Sequence, residues 1–543
     1  MKKVLLTSVF QPFGVENRYN KKGDDFLLDY LASRLTREPG MFALSSYVPH
    51  SGLHLIAANL PCESKVLEYP TIEEFIDEIK KGYDYIGINF LIKGLRKVYH
   101  MVSLIRKYSP STKIIIGGFG TILHETDQIG ADYVCKGEGV QFMREMMGLE
   151  PACKYVHPVI TAEVTLKVFQ GHDFMPQPRM GLITSGFGCP NACEFCCTSA
   201  YYKHQNIPFL KSGREIYRAM VFANQQTKGV VKDFLIFEED MMLYQPKVTE
   251  LSQELEEHDG IGLSYGCFAS LRAISKYDLE DLVAGGLSHV WIGIESKHPP
   301  FEKRQSDIDI KEMFKQLHSL GVTTTGSSIF GLEHHTPDNI WEEVEYVKEV
   351  KPCTVQLSNL MPGKGTALWE RLERENRIYQ IGFKDADLYS EIIAHPNFER
   401  GEIVPFILKG YEDIYESLGP SLFRIMRTWF AGYKNLHRSP RSGLRKRAEI
   451  YARKTRSVAP IFFRTQRFLP NDAVREAVKE TLDEVCSMFP PRTEDLAFSG
   501  LVEKIFELEV ERQRFVKPGP IEPKPIITRY DREYYERNLV NFL

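Results

Sequence analysis

Short β-branched runs alternate with amphipathic helical patterns in two separate blocks of this 543-residue chain, and that alternation constrains the fold more than any other feature. The first block runs to about residue 150. Its strand candidates are KVLLTSVF (3–10), KVLEYP (65–70), YDYIGINF (83–90), KIIIGGFG (113–120) and ADYVCKGEG (131–139). Between them lie a helix opened by a Thr71/Glu74 capping box and another running through Arg106. The second block runs from Gly181 to about Leu372, with strands GLITSGF, DFLIFEED, LSYGCFAS, HVWIGIES, TTTGSSIFG and TVQLSNL. Helices are expected at Pro246–His258, Lys276–Ala284 and Pro337–Val350. Parallel strands need crossover helices, so the fold class is α/β. The expected organisation is a doubly wound parallel sheet over 1–150, a linker over 151–178, a partial (β/α)6 TIM-like barrel over 179–375, and a mostly helical region over 376–543.

Length excludes a single core, and 43% apolar with 26% charged residues excludes a disordered chain. The net charge of −4 by itself singles out no partner. The N-terminal apolar run breaks at Gln11 and Pro12 without a small-residue cleavage site, so it reads as a buried strand and not an export signal. No eighteen-residue apolar run is present. The expectation is therefore a cytoplasmic protein with reduced thiols.

Four of the ten cysteines fall within GFGCPNACEFCCTS (186–199). A disulfide is disfavoured by compartment, and a structural zinc site lacks its second ligand pair downstream. A thioredoxin-like pair at Cys193 and Cys196 leaves Cys189 unexplained. A [4Fe–4S] cluster held by three thiolates, with one iron left open, accounts for all three. Cys197 reads as a small residue packed on the loop. With Phe195 before Cys196, the spacing C-x-x-x-C-x-F-C resembles the signature of radical S-adenosylmethionine (SAM) enzymes. That resemblance implies that Cys189, Cys193 and Cys196 ligate a cluster whose open iron chelates SAM. It further implies cofactor contacts at strand ends: Glu238, Glu239 and Asp240 in FEED, Ser270 and Arg272 in GCFASLR, and Glu295 and Ser296 in GIES. LMPGKGTALWERL (360–372) is similar to the family's Pro-Gly turn, lengthened by Lys364 and Gly365. Each polar residue could instead cap a helix or hold a surface salt bridge. His334-His335, ahead of Thr336-Pro337, suits a structural or substrate-contacting role better than a metal.

The first block, with glycines at Gly117, Gly118, Gly120, Gly137 and Gly139, resembles the cobalamin-binding domain found ahead of the barrel in one subfamily. Its first loop, FQPFGVEN (10–17), lacks the histidine of D-x-H-x-x-G, which implies cobalamin bound without that ligand. An empty flavodoxin-like domain is the alternative.

Residues 421–470 hold thirteen Lys or Arg against the single acid Glu449, with aromatics interleaved. This segment is read as a solvated face over the barrel, a surface for lipid headgroups that would make the protein membrane-associated, or a nucleic-acid contact. The last is disfavoured for want of an OB-fold or RRM signature. The expected function is methylation of an unactivated carbon of a small molecule, lipid, isoprenoid or tetrapyrrole-like, using the cluster, SAM, cobalamin and an outside electron donor. A radical cyclase or coupling enzyme without methyl transfer, and a non-catalytic cobalamin sensor or scaffold, are the alternatives.

Overall fold

The computed structural model describes residues 2–13, 37–170, 174–175, 178–258, 260–299, 308–379, 388–515 and 523–541. Residues 14–17 of the first loop lie outside them.

The first sheet contains β1 (Lys3–Ser8), β3 (Glu63–Glu68), β4 (Tyr85–Asn89), β5 (Lys113–Gly117), β6 (Tyr133–Val134) and β16 (Ile526–Tyr530). Its order is β16-β3-β1-β4-β5-β6, parallel except for β16, which runs antiparallel on β3. The order reverses at β1, so the crevice for a ligand opens outside the carboxyl ends of β1 and β4. The Thr71 capping box forms as expected and starts the helix Ile72–Ile79.

The second sheet curls into a half-barrel of six parallel strands: β8 (Arg179–Thr184), β11 (Asp233–Phe237), β12 (Ser264–Ala269), β13 (Leu287–Glu295), β14 (Thr323–Phe330) and β15 (Thr354–Asn359). Two further strands extend it antiparallel beyond β8, namely β7 (Thr161–Leu166) and β2 (Leu44–Tyr47). A short ribbon of β9 (Gly186–Phe187) and β10 (Ile207–Pro208) stands at its mouth.

Three strands cross the expected boundaries. The segment 151–178, expected as a linker, supplies β7; among its described residues no α-helix joins it to β8, so no strand–helix alternation marks it. β2 leaves the first block for the barrel sheet, and β16 returns from the C-terminal region to edge the first sheet. The helix expected from Pro337 begins at Glu342. Ahead of it, Thr336 and Asn339 exchange side-chain-to-backbone bonds in a separate turn.

Segment 421–470 folds into the helices Ser421–Leu436 and Ser442–Phe463. Phe423, Phe430 and Phe462 are buried with Phe42 and Phe506 in a core of their own, with the Phe42 and Phe462 rings stacked at 5.0 Å. Its cations pair with acids of the barrel wall: Arg441 grips Glu256 (2.8 and 2.6 Å) and Asp281, and Lys454 meets Asp233 at 2.5 Å. Part of the local charge asymmetry is thus met by acids of the barrel, and these three aromatic rings are core. No helix among the described residues is long and apolar enough to cross a membrane.

Candidate functional site

β8 delivers the cysteine loop to the barrel mouth, and a buried histidine fixes where it leaves the sheet. The Thr184 N–H donates to Nε2 of His157 (2.8 Å), whose Nδ1 faces the Pro158 carbonyl (2.8 Å). Both ring nitrogens are engaged, and burial pushes His157 down to about 4, so the imidazole is neutral. At Gly188 the backbone takes φ +84°, and a Cβ there would lie 2.0 Å from the Gln205 carbonyl oxygen, so only glycine fits. The loop closes through Cys196 N–H to Cys193 O (3.0 Å) and Ser199 Oγ to Cys189 O (2.6 Å).

Cys189 is buried, and Cys193 and Cys196 are half-buried. Burial pushes the Cys189 thiol up to about 12 and raises that of Cys196, so these thiols ionise when a bound cation replaces the proton. Cys197 turns to the Pro-Gly turn instead: a Cβ on Gly363 would sit 2.1 Å from the Cys197 Cβ. Phe195 packs against the cluster of Ile329, Leu360 and Trp369, and the Leu368 N–H donates to Glu194 O (3.1 Å).

The expected strand-end residues separate into two groups. Glu238 is committed to the interior: Lys247 meets it at 2.9 Å, Ser185 Oγ donates at 2.5 Å and Asn206 at 3.1 Å. Asp240 ties loop to barrel, accepting from Asn191 Nδ2 (2.9 Å) and Ser270 N–H (3.1 Å). Ser270 caps the helix Leu271–Ile274 through Ala273 N–H, and Arg272 is exposed. Ser296 donates to Glu343 (2.6 Å). The side chains of Glu238, Ser270, Arg272 and Ser296 therefore do not assemble at the loop.

Glu239 and Glu295 do. Both lie close enough to Cys196 for their charge to raise its thiol. Alternate residues of β13 are half-exposed (His289, Trp291, Gly293, Glu295), which puts Glu295 on the concave face at the strand's end, at φ +63°. Burial pushes the Glu239 carboxyl up to about 7 against the Gly188 N–H that stabilises its charge. Its Oε2 is buried with no hydrogen-bond partner among the described residues, an acceptor suited to a cationic amino group.

The concave face also carries residues that the sequence reading did not single out. Phe268 and Trp291 stack at 5.2 Å, with Phe237 at 5.9 Å from Phe268. Trp291 Nε1 donates to Ser327 Oγ (2.6 Å), which donates to Gln356 (2.8 Å). For Trp291, the period-2 spacing from Glu295 within HVWIGIES was the available signal.

His334, His335 and Glu343 lie within 4.8 Å of one another. Glu343 already accepts from Ser296 Oγ, Lys297 N–H and His335, and His335 Nδ1 accepts from Leu332 N–H. Glu343 thus ties the Ser296–Lys297 segment to His335.

At the crevice of the first sheet is a cavity of about 340 Å³, within the range of small-molecule sites. Gly117, Gly118, Gly137 and Gly139 line it, together with Phe187, Tyr202, Phe209 and Phe237 from the barrel side. Gly120 does not: a Cβ there would lie 2.2 Å from the Phe90 ring, so it is a packing glycine. Gly137, at φ +106°, has open space where a Cβ would project. Tyr201, unmarked in the sequence, joins cavity and cysteine loop. Its hydroxyl accepts from Gly137 N–H (2.9 Å), pairs with Thr121 Oγ1 (3.0 Å) and reaches Gly118 O (3.3 Å).

No family model matches the chain. An uncharacterized methyltransferase of Pyrococcus horikoshii is 19% identical over 383 residues, 64% of this chain and 82% of its own length. A hopanoid C-2 methylase of Rhodopseudomonas palustris is 24% identical over 211 residues, 37% of this chain and 39% of the methylase. Among solved structures, the radical SAM methyltransferase TsrM of Kitasatospora setae, with tryptophan and a SAM analogue bound, aligns at TM-score 0.51 and 12% identity, covering 94% of this chain and all of TsrM. TsrM with cobalamin and a [4Fe–4S] cluster aligns at 0.50 and 14% identity, covering 84% of this chain and all of TsrM. The cobalamin-dependent SAM radical enzyme OxsB aligns at 0.50 and 11% identity, covering all of this chain and 83% of OxsB. The chain shares the fold of cobalamin-dependent radical S-adenosylmethionine enzymes.

Proposed function

We propose that the protein is a radical SAM methyltransferase that uses a [4Fe–4S] cluster and cobalamin to methylate a carbon of a small hydrophobic molecule. The observation that carries this reading is the meeting, at one barrel mouth, of the C-x-x-x-C-x-F-C loop and the unpartnered Glu239 oxygen, beside a cavity of the first sheet. When bound, the cluster supplies the electron that cleaves SAM to an adenosyl radical, and the corrinoid carries the methyl group to be transferred.

The protein's own part is to bind, orient and exclude water. Cys189, Cys193 and Cys196 hold the cluster. Glu239 takes the amino group of SAM, and Glu295 lies on the same concave face toward the rest of that cofactor. Gly117, Gly118, Gly137 and Gly139 let a corrinoid approach the strand ends, and Tyr201 fixes that site relative to the cysteine loop. The aromatic row Phe237, Phe268 and Trp291 favours an apolar substrate, and the likeness to a hopanoid methylase points the same way.

SAM carrying a deuterated methyl group tests the reading before any substrate is known. Labelled methyl on the corrinoid of the reconstituted protein, then on products from a lipid extract, is the expected result. Adenosyl-radical chemistry with the label never leaving SAM would turn the assignment to a cyclase or coupling enzyme.

A further inference from the structure

The lining of the first-sheet cavity contains, among the described residues, one histidine: His50, in the turn between β2 and the helix Ser51–Ala58. Its setting is unusually determined for a loop residue. The His50 N–H donates to Glu68 Oε1 (2.6 Å); the other Glu68 oxygen meets His54 Nε2 (2.8 Å), and His54 Nδ1 meets the Tyr530 hydroxyl (2.8 Å). The ring itself is held through Nδ1 by the Asn89 side-chain amide (3.0 Å) and leans on Tyr69, centroids 5.2 Å apart. Nε2 has no partner among the described residues. Asn89 can present oxygen or nitrogen to Nδ1; with the oxygen, Nδ1 keeps the proton and Nε2 carries the lone pair, the arrangement by which a second partner prepares a metal-binding imidazole.

Two other lining groups with donor atoms are committed elsewhere. The Glu138 carboxylate caps a helix through Val140 and Gln141 N–H, and the Tyr69 hydroxyl donates to Val48 O (2.6 Å). Cys135 and Tyr202 also line the cavity, and a sulfur or oxygen ligand from either would give no nitrogen splitting in the test below.

We infer that Nε2 of His50 is the protein's axial ligand to the cobalt of a corrinoid held in this cavity. The inference rests on the cobalamin reading above and changes one expectation drawn from the first loop. The D-x-H-x-x-G motif would place its histidine in FQPFGVEN, whereas the fold brings one to the cavity from residue 50.

The test is electron paramagnetic resonance of the full chain, produced with 15N-histidine, loaded with hydroxocobalamin and reduced to the cobalt(II) state. A nuclear spin of one half splits each high-field cobalt line into two, so a doublet that is lost in His50→Ala is the expected result. The cofactor's own benzimidazole, which stays 14N, would give a triplet, and an oxygen or absent ligand no splitting; either overturns the assignment while leaving cobalamin binding intact. Free 14N-imidazole added to His50→Ala is expected to restore nitrogen splitting, now as a triplet. Cobinamide, which lacks the benzimidazole, serves as a second probe and is expected to give the same doublet. Failure of the wild-type chain to retain either corrinoid overturns the assignment together with the cobalamin reading.

Discussion

Glu238 and Glu239 show how adjacent identical residues acquire different work. Glu238 is buried against Lys247, and removing one partner of such a pair costs roughly 3–5 kcal/mol. Glu238→Gln is therefore expected to lower the melting temperature. Glu239→Gln is expected to leave melting and iron content nearly unchanged while weakening SAM binding about tenfold or more, read by calorimetric titration of the cluster-loaded protein. Equal effects of the two substitutions would remove the distinction. FEED offered both carboxylates to the sequence reading, but Lys247, Ser185 and Asn206 reach Glu238 only through the fold. The cysteine spacing, by contrast, was legible because all three cysteines sit on one loop.

His157 gives a pH prediction at the same scale. Its folded value, about 4, lies below the ordinary 6.5, so the unfolded chain binds the extra proton between those values. Its contribution is fully present above about pH 6.5 and is lost as pH falls towards 4, reaching about 3 kcal/mol by linkage. Thermal melts are expected to fall along that window, and more shallowly in His157→Gln once its lower starting stability is subtracted. Parallel profiles would contradict the role given to the ring.

At the scale of elements, the strands read correctly were the parallel ones, continuous apolar runs ended by glycine or polar residues. β2, β7 and β16 escaped because they are antiparallel additions at or near sheet edges; LSSY, TAEVTL and IITRY mix polarity, and their pairing partners lie far away in sequence. β16 covers the edge of β3 and brings Tyr530 to His54, which gives it a definable part in stability. Truncation after Phe515 is expected to lower the melting temperature by about 4–8 °C, as a loss of 2 kcal/mol does in domains of 150–250 residues, and to increase light scattering on warming. Unchanged melting would show that β16 adds no stability.

Across the whole molecule, two devices tie the two sheets together and a third braces the barrel. β2 crosses from the first block to the barrel sheet, the basic helices clamp the barrel wall, and Tyr201 joins the cysteine loop to the glycine loops. Tyr201→Phe removes one hydroxyl that serves Thr121, Gly137 and Gly118. With about 1–3 kcal/mol for buried groups left unsatisfied, corrinoid affinity is expected to fall roughly 5- to 100-fold in a visible-absorbance titration, with iron content retained. Unchanged affinity would mean that the glycine loops are set without it. The alternation of strands and helices in two blocks already pointed to two α/β sheets, but not to these ties, because none is local in sequence.

The central claim is that one chain holds a radical-generating cluster and a corrinoid. Anaerobic reconstitution with iron, sulfide and hydroxocobalamin, followed by reductant and SAM, tests it most directly. Bound iron, bound corrinoid and released 5′-deoxyadenosine would be measured for the wild type, Cys193→Ala and Cys197→Ala. The account predicts all three in the wild type and in Cys197→Ala, with loss of cluster iron and deoxyadenosine in Cys193→Ala. An intact cluster that releases no deoxyadenosine, or a Cys197→Ala variant as inactive as Cys193→Ala, would contradict it.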